Sequence, residues 1–462
     1  MTGSSQRLLR TSSPQIVARY IRQRILRGEL SSGERLRQGD IATALGISRI
    51  PVREAIIGLD RDGWLRLAPS GGGAYVTELR RDDILDHYEL RGVAFGLVAA
   101  RAAAAMTEES RKRLQQQLRL MRSTSDVETF SRENDGFLDQ IAWLAASPGL
   151  RSALRVSPSL ISTGFFEFVP GARAIQEAGA AALMRALKTS DQRGAELAMR
   201  RLLCRQGSAV VKTLESRGRW ADHDRPPPSG EPPRDEAGTR ADQANFRQAE
   251  GALELVVNHV RQLIIAGKIH PGQRICQDDI GLAVGVSRTP VREGIIALER
   301  EGWVRIKPHR GAFAVGMSDQ AIFDHHALYG RYLAFAARRV IDHRNPGDCS
   351  TLDSLASKVA TRSTEAALER AARDYIERLA ILARSTRLDV TLRVMPPVAD
   401  RRVLSAIAGV AGAGRAGIGK LQEAIESGDR GQAERACITM LEHQAASLIA
   451  FLNTRDPSQL DE

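Results

Sequence analysis

Cysteine is scarce in this chain. Its four residues, Cys204, Cys276, Cys349 and Cys437, lie far apart and form no CxxC, a spacing that indicates neither a zinc cage nor a disulfide framework. Aromatic residues make up 5%, too few for a protein that stacks successive single-stranded bases. Every apolar run is interrupted well before the ~18 residues of a membrane-spanning helix. The opening MTGSSQRLLRTSSPQ lacks the apolar core of a signal peptide. These absences predict a reduced, cytoplasmic setting with no membrane partner. Catalytic signatures are missing too: no Gly-rich phosphate loop after a strand, no GxSxG, no HExxH and no metal-spaced cluster. The glycines of GAGRAGIG near Gly414 sit in an Ala-rich helical stretch without a preceding strand. The expectation is a protein that is not an enzyme and needs no cofactor.

What the chain does have is length and positive charge. At 462 residues with 43% hydrophobic and 26% charged positions, it has material for several buried cores. Lys+Arg 66 against Asp+Glu 55 leaves a formal charge of +11, nearly all of it from arginine. Such a balance favours polyanionic partners, although charge alone concerns only solubility and non-specific attraction.

The chain is also written twice. GELSSGERLRQGDIATALGISRIPVREAIIGLDRDGWLRLAPSGGGAYV from Gly28 returns as GKIHPGQRICQDDIGLAVGVSRTPVREGIIALEREGWVRIKPHRGAFAV from Gly267, without a gap. About half the positions are identical, and a repeat of this kind sets the architecture. A long Ala/Leu/Arg-rich helical stretch follows each copy. Between the halves, RGRWADHDRPPPSGEPPRDEAGTRADQ is dense in proline, glycine and charge, the composition of a solvated linker.

Each copy reads as three helices and a hairpin. In the first, Ile16, Val17, Tyr20, Ile21 and Ile25 have the spacing of an amphipathic helix, which Gly28 can close. A second helix opens near Asp40, with Ile41, Ala44 and Leu45 inward, and ends at Gly46. Ser48 suits the cap of a third helix, and Pro51 fits its first turn, where no intrahelical N–H is required. Val52, Ala55, Ile56 and Leu59 form the inner stripe of that helix. Short alternating segments, Trp64 to Leu67 and Ala74 to Val76, flank the turn at Gly71, Gly72 and Gly73. This is the order of a winged helix-turn-helix. Arg49 and Arg53, like Arg288 and Arg292, are four residues apart and project from one side of the third helix. An arginine fork there can take guanine O6 and N7 together or grip phosphate. On an isolated helix the same pair would be a solvated face; the second helix of a helix-turn-helix is where a major-groove reader belongs.

G-x-[LI]-x-x-G-x-R-[LI], then S-R-x-P-V-R-E, then Gly-Trp and a Pro-x-x-Gly wing resemble the DNA-binding domain of GntR-family bacterial transcription regulators. The helical stretches resemble the FCD domain of the FadR-like branch. The resemblance implies a mainly α chain: a winged domain at 10–80, an FCD-type all-α bundle at 81–218, a linker at 219–247, a second winged domain at 248–318 and a second bundle at 319–455. It also implies that Ser48, Arg49, Ile50 and Arg53 read DNA, with the wing near Gly72. In the second copy the counterparts are Ser287, Arg288, Thr289 and Arg292, with His309, Arg310 and Gly311 in the wing.

FCD domains usually hold a metal between an Asp and three His. Here the matching positions are Asn134, Leu138, Ala180 and Leu202, then Ala372, Ile376, Ile418 and Met440. They lack the carboxylate and imidazole that such an ion requires, so no metal is expected; His443 and the His325–His326 pair stand apart from those positions. Apolar pocket positions suit either a dry bundle kept for dimerisation or a reshaped pocket for a small organic effector. The functional expectation is a sequence-specific transcription regulator on double-stranded operator DNA, repressing or activating, with both recognition helices on one chain. Its halves can pair as an intramolecular pseudo-dimer, and a second molecule could pair with that again. The rival reading is a non-catalytic interaction protein that has kept the fold and lost specific DNA reading.

The two copies differ where they would touch DNA. Ile50 replaces the hydroxyl of Thr289, and the first wing, SGGG, lacks the cation that Arg310 supplies to the second. Copy two is therefore expected to contribute more affinity on an imperfect palindrome. In a binding titration Arg288→Ala should cost more than Arg49→Ala, and equal losses would remove the asymmetry.

Overall fold

The computed structural model describes residues 13–454 apart from 62, 69–72, 79, 157–164, 218–251, 254, 265–266, 302, 308–309, 316–317, 344, 394, 396–406 and 408. The linker expected at 219–247 lies wholly outside them. No described helix is long and apolar enough to cross a membrane.

In the first winged domain α1 (Ser13–Arg27), β1 (Arg35–Leu36), α2 (Gln38–Leu45) and α3 (Arg49–Arg61) precede β2 (Leu65–Leu67) and β3 (Ala74–Val76). Val17, Ile21 and Ile25 of α1 are buried, as are Val52, Ala55, Ile56 and Leu59 of α3. The two helices pack stripe to stripe, as their 3.6-residue periodicity demands. Two positions depart from the expected stripes. Ile16 is 38% exposed, one residue off the face that Val17 and Ile21 define. Ala44 is exposed and Ala42 is buried in its place, because α2 turns Ile41, Ala42 and Leu45 toward the core. The hairpin also gains a strand: β1 pairs antiparallel with β3, giving the order β1-β3-β2.

The first bundle comprises α4 (Arg81–Ala104), α5 (Glu108–Ser123), α6 (Val127–Leu144), α7 (Pro148–Val156), α8 (Phe165–Phe168), α9 (Ala172–Lys188) and α10 (Gln192–Ser216). The second winged domain follows with α11 (255–264), β4 (Arg274–Ile275), α12 (Gln277–Val284), α13 (Arg288–Glu301), β5 (Val304–Lys307) and β6 (Gly311–Ala314). Its sheet order, β4-β6-β5, repeats the first. The second bundle is α14 (Asp319–His343), α15 (Pro346–Thr361), α16 (Glu365–Leu382), α17 (Thr386–Arg393), α18 (Val410–Ser427) and α19 (Arg430–Thr454). Polar caps start matching helices in both bundles. Thr107 accepts from Ser110 N–H and Asp126 from Thr129 N–H, while Asn345 and Thr364 serve α15 and α16. Each satisfies a backbone donor that the first helical turn leaves without a partner.

Two compact units result. The first holds the first winged domain, α8 and the C-terminal part of α10. There Arg217 stacks 4.1 Å from the Phe168 ring and donates to the Phe168 carbonyl at 3.3 Å. The second holds the rest of the first bundle, the second winged domain and the second bundle. The core of the second winged domain runs on into its bundle through Ile322, Val410, Ala445 and Leu448. Helix α7 of the first bundle lies against α13 and α14.

The two bundles meet along α4 and α14. Arg101 Nε donates to Asp324 Oδ1 at 2.7 Å, and Arg339 Nη1 stands 3.5 Å from Asp86 Oδ1. Asp86 and Arg101 correspond to Asp324 and Arg339 under a 238-residue shift, so each pair is the other's image, as in an isologous interface. Arg331 grips both oxygens of Glu196 at 2.9 and 3.1 Å. Arg200 reaches Glu434 at 3.4 Å, and Arg338 pairs with Glu89. Asp324 is 1% exposed and Asp86 4%, and deleting one partner of a buried ion pair strands the other. Arg101→Ala should therefore cost about 3–5 kcal/mol, read as a fall in the denaturation midpoint. Arg81→Ala, which removes an exposed bridge to Glu215, should cost under about 1 kcal/mol.

Candidate nucleic-acid interface

The turn between α2 and α3 is set by backbone chemistry. Gly46 has φ 64° and Gly285 φ 72°, a left-handed conformation that glycine adopts without steric cost. The Gly46 and Ile47 N–H groups bond back to Thr43 O and Ala42 O. That closes α2 and lets α3 start at Arg49, immediately after Ser48. The far end of the third helix is also fixed. The Leu67 N–H donates to Asp60 Oδ1 at 2.8 Å, and the Ile306 N–H donates to Glu299 Oε1 at 2.7 Å. Each carboxylate ties its helix to the first strand of its wing.

With Val52 and Ile56 buried, the opposite side of α3 faces outward. Ser48, Arg49, Ile50 and Arg53 are all exposed, as are Ser287, Arg288, Thr289 and Arg292. Ile50 is 71% exposed, so copy one places an isoleucine, rather than a hydroxyl, at the head of α3. The copies differ again beneath that helix. Arg288 Nε donates to Asp278 Oδ1 at 2.9 Å, with both side chains exposed. Copy one has Gly39 at the equivalent position, 3.8 Å from the Arg49 guanidinium measured to the point where a Cβ would stand. Arg49 thus lacks the carboxylate that directs Arg288.

In the wings, Gly72 and His309 lie outside the described residues. Arg310 is exposed, and its N–H closes a tight turn onto Lys307 O at 3.0 Å. Gly311 follows at φ 96°, and the Arg274 Nε would lie 3.1 Å from a Cβ placed there. Gly73 and Arg35 repeat this arrangement in copy one at 2.7 Å. Arg35 and Arg274 therefore add an exposed guanidinium beside each wing. Both belong to the G-x-R-[LI] pattern, and it is the pairing of β1 with β3 and of β4 with β6 that places them beside the wings.

The FCD ligand positions do not fit a metal. Ala180, Leu202, Ile418 and Met440 are buried and apolar, Leu138, Ala372 and Ile376 are half-buried and apolar, and Asn134 alone is polar. The Asn134 Oδ1 accepts no hydrogen bond among the described residues. One amide cannot hold a divalent ion, and no group of three or more His, Cys, Asp or Glu collects among the described residues. Leu202 fills the space beside Gly179, and Met440 the space beside Gly417, each leaving only 2.5 Å to an added Cβ. His326 is buried with Nδ1 2.8 Å from Ile322 O, and its burial lowers the ring's pKa. His443 is exposed. Between α9 and α10 of the first bundle lies an open groove of about 630 Å³ whose lining includes Arg185, Arg201, Arg205 and Leu202.

Comparison with known proteins agrees with this geometry. Residues 15–76 and 253–314 match the family described as bacterial regulatory proteins, gntR family, and residues 86–205 match the FCD domain. Together these matches span more than half of the chain. An uncharacterized HTH-type transcriptional regulator of Mycobacterium tuberculosis is 32% identical over 152 residues, 33% of this chain and 62% of that protein. The HTH-type transcriptional repressor RspR of Escherichia coli K12 is 29% identical over 134 residues, 28% of this chain and 58% of RspR. The matched region thus spans about three-fifths of the length of these curated relatives. Among solved structures, E. coli McbR/YncC aligns with a TM-score of 0.34 and 23% identity, covering 44% of this chain and 97% of McbR/YncC.

The placement of the arginines predicts two kinds of loss. Arg274→Ala, at the wing base, should weaken binding to selected and random duplexes alike and lower the salt slope by about 1. Arg292→Ala, on the reading helix, should cost about 1–3 kcal/mol on the selected site and much less on random DNA. Parallel salt titrations of both variants separate the two, and identical behaviour would assign both arginines to phosphate.

Proposed function

This chain belongs to the gntR family of bacterial regulatory proteins, carrying the family's DNA-binding domain twice with an FCD domain, and from that premise we propose that it is a regulator whose single chain reads a two-part operator. The observation that carries the reading is the pair of exposed arginines on each third helix, Arg49 with Arg53 and Arg288 with Arg292, each opposite a fully apolar inner stripe. Helix-turn-helix dimers bind half-sites about one turn of DNA, ~34 Å, apart. Here both reading helices belong to one chain, so the second binding event is intramolecular and the effective concentration of the second head is roughly millimolar.

In this reading Ser48, Arg49, Ile50 and Arg53 meet one half-site, and Ser287, Arg288, Thr289 and Arg292 the other. Gly72 on one side and His309, Arg310 and Gly311 on the other supply the wings. Thr289 and Arg310 give the second head more polar contacts, whereas Ile50 suits a thymine methyl. The apolar, closely packed ligand positions support assigning the bundles to pairing. A small organic effector, if carboxylate-bearing, finds its cations in the arginine-bearing groove between α9 and α10, which Leu202 also lines. It would act by preferring one arrangement of the two heads, since a ligand shifts an equilibrium only by its differential affinity. Occupancy of the operator then represses or activates in the cytoplasm, without catalysis.

Selection of the purified protein on a random-sequence duplex library, with Arg288→Ala/Arg292→Ala as control, tests this reading. A two-part motif lost in the control supports it, and the half-site separation reports how far apart the heads sit. Weak, steeply salt-dependent binding without a motif would overturn it and leave an interaction protein that has kept the fold.

A further inference from the structure

The charges along the seam between the bundles are not symmetric. Among the described residues five ion pairs cross it. The first bundle supplies three carboxylates and two guanidiniums, and the second supplies two carboxylates and three guanidiniums. Only the union of unlike bundles gives every one of these groups an opposite charge.

The 238-residue correspondence shows which pair makes the difference. If two first bundles met, Arg101 would stand in for Arg339 opposite Asp86, and Glu196 would stand in for Glu434 opposite Arg200. Those contacts survive in a like pairing. Glu89 would not be matched, because the position equivalent to Arg338 is Ala100. If two second bundles met, Arg331 could still reach Glu434, but Arg338 would face Ala327, the counterpart of Glu89. Each like pairing therefore strands two charges of one sign. Glu89 and Arg338 side chains are only 25% and 29% exposed, so a stranded group is poorly hydrated. A half-buried charge without a partner is costly.

We propose that the bundles select each other over copies of themselves through Glu89 and Arg338, so that the two halves of one chain close on one another and the protein acts as a single molecule with one reading head of each kind. This rests on the proposed pairing role of the bundles but not on DNA reading, and it is tested without DNA.

A protease site placed within 221–245 of the full chain allows the halves to be separated covalently while they remain assembled. Before cleavage, sedimentation should give the single-chain mass of 50.4 kDa at all concentrations. After cleavage and prolonged incubation, native mass spectrometry should show one-to-one pairs of unlike halves. Glu89→Arg, which sets two guanidiniums against each other, should reduce the unlike pairs about tenfold in favour of like pairs, and adding Arg338→Glu should restore them. Like pairs of either half from the unsubstituted cleaved protein, or a two-chain mass before cleavage, would overturn the proposal. Because the unsubstituted protein decides it alone, misfolding of a variant cannot rescue it.

Discussion

Two carboxylates that are almost fully buried, Asp86 and Asp324, govern how the second unit is held together. Removing a carboxylate from water is expensive, and the expense is recovered only where a fixed cation replaces the lost hydration. For Asp324 that cation is Arg101, 223 residues earlier in sequence, and for Asp86 it is Arg339. Both pairs cross from one bundle to the other, and Gln320 of α14 adds a second donor to Asp324 Oδ1 at 2.9 Å; α4 and α14 are joined where the two pairs close together. Hydrophobic burial supplies the general attraction in such a contact, while the ionic pairs fix its register.

That register matters for the second winged domain. Its core is continuous with the second bundle through Ile322, Val410, Ala445 and Leu448, and α7 of the first bundle lies against α13. The second head is therefore not a bead on a string. It is seated on one bundle and touched by the other, so a displacement along the seam has a packed route to α13.

Much of this was readable in the sequence, for identifiable reasons. The repeat was plain because its helix-turn-helix parts align without a gap, and the third helices because Val52, Ile56 and Leu59 carry a clean helical period; the wings are one residue out of step with that alignment, since the strand pairings set Gly73 rather than Gly72 against Gly311. The turn glycines and Pro51 obey local steric rules that need no tertiary context. What escaped was non-local or too short to show a period. Strand β1 has two residues, Arg35 and Leu36, and exists only because β3 offers hydrogen bonds to it. Ile16 and Ala44 are apolar residues one step off a stripe whose phase is set by the packing of α1 on α3. The tie between Arg288 and Asp278 depends on how α12 and α13 are juxtaposed. The seam charges join residues more than a hundred positions apart, and in sequence they are indistinguishable from the many other arginines and carboxylates on helix surfaces.

Duplication within one chain also changes what a single substitution can do. In an assembly of two identical subunits every replacement appears at both places, so a change that improves one side of a contact must be tolerated on the other. Joining the copies end to end removes that restriction. Gly39 can stand opposite Asp278, Ile50 opposite Thr289, and Ala100 opposite Arg338, each altered once. The two bundles keep ion pairs related by the 238-residue shift, while the side chains of the two copies are free to drift toward different tasks.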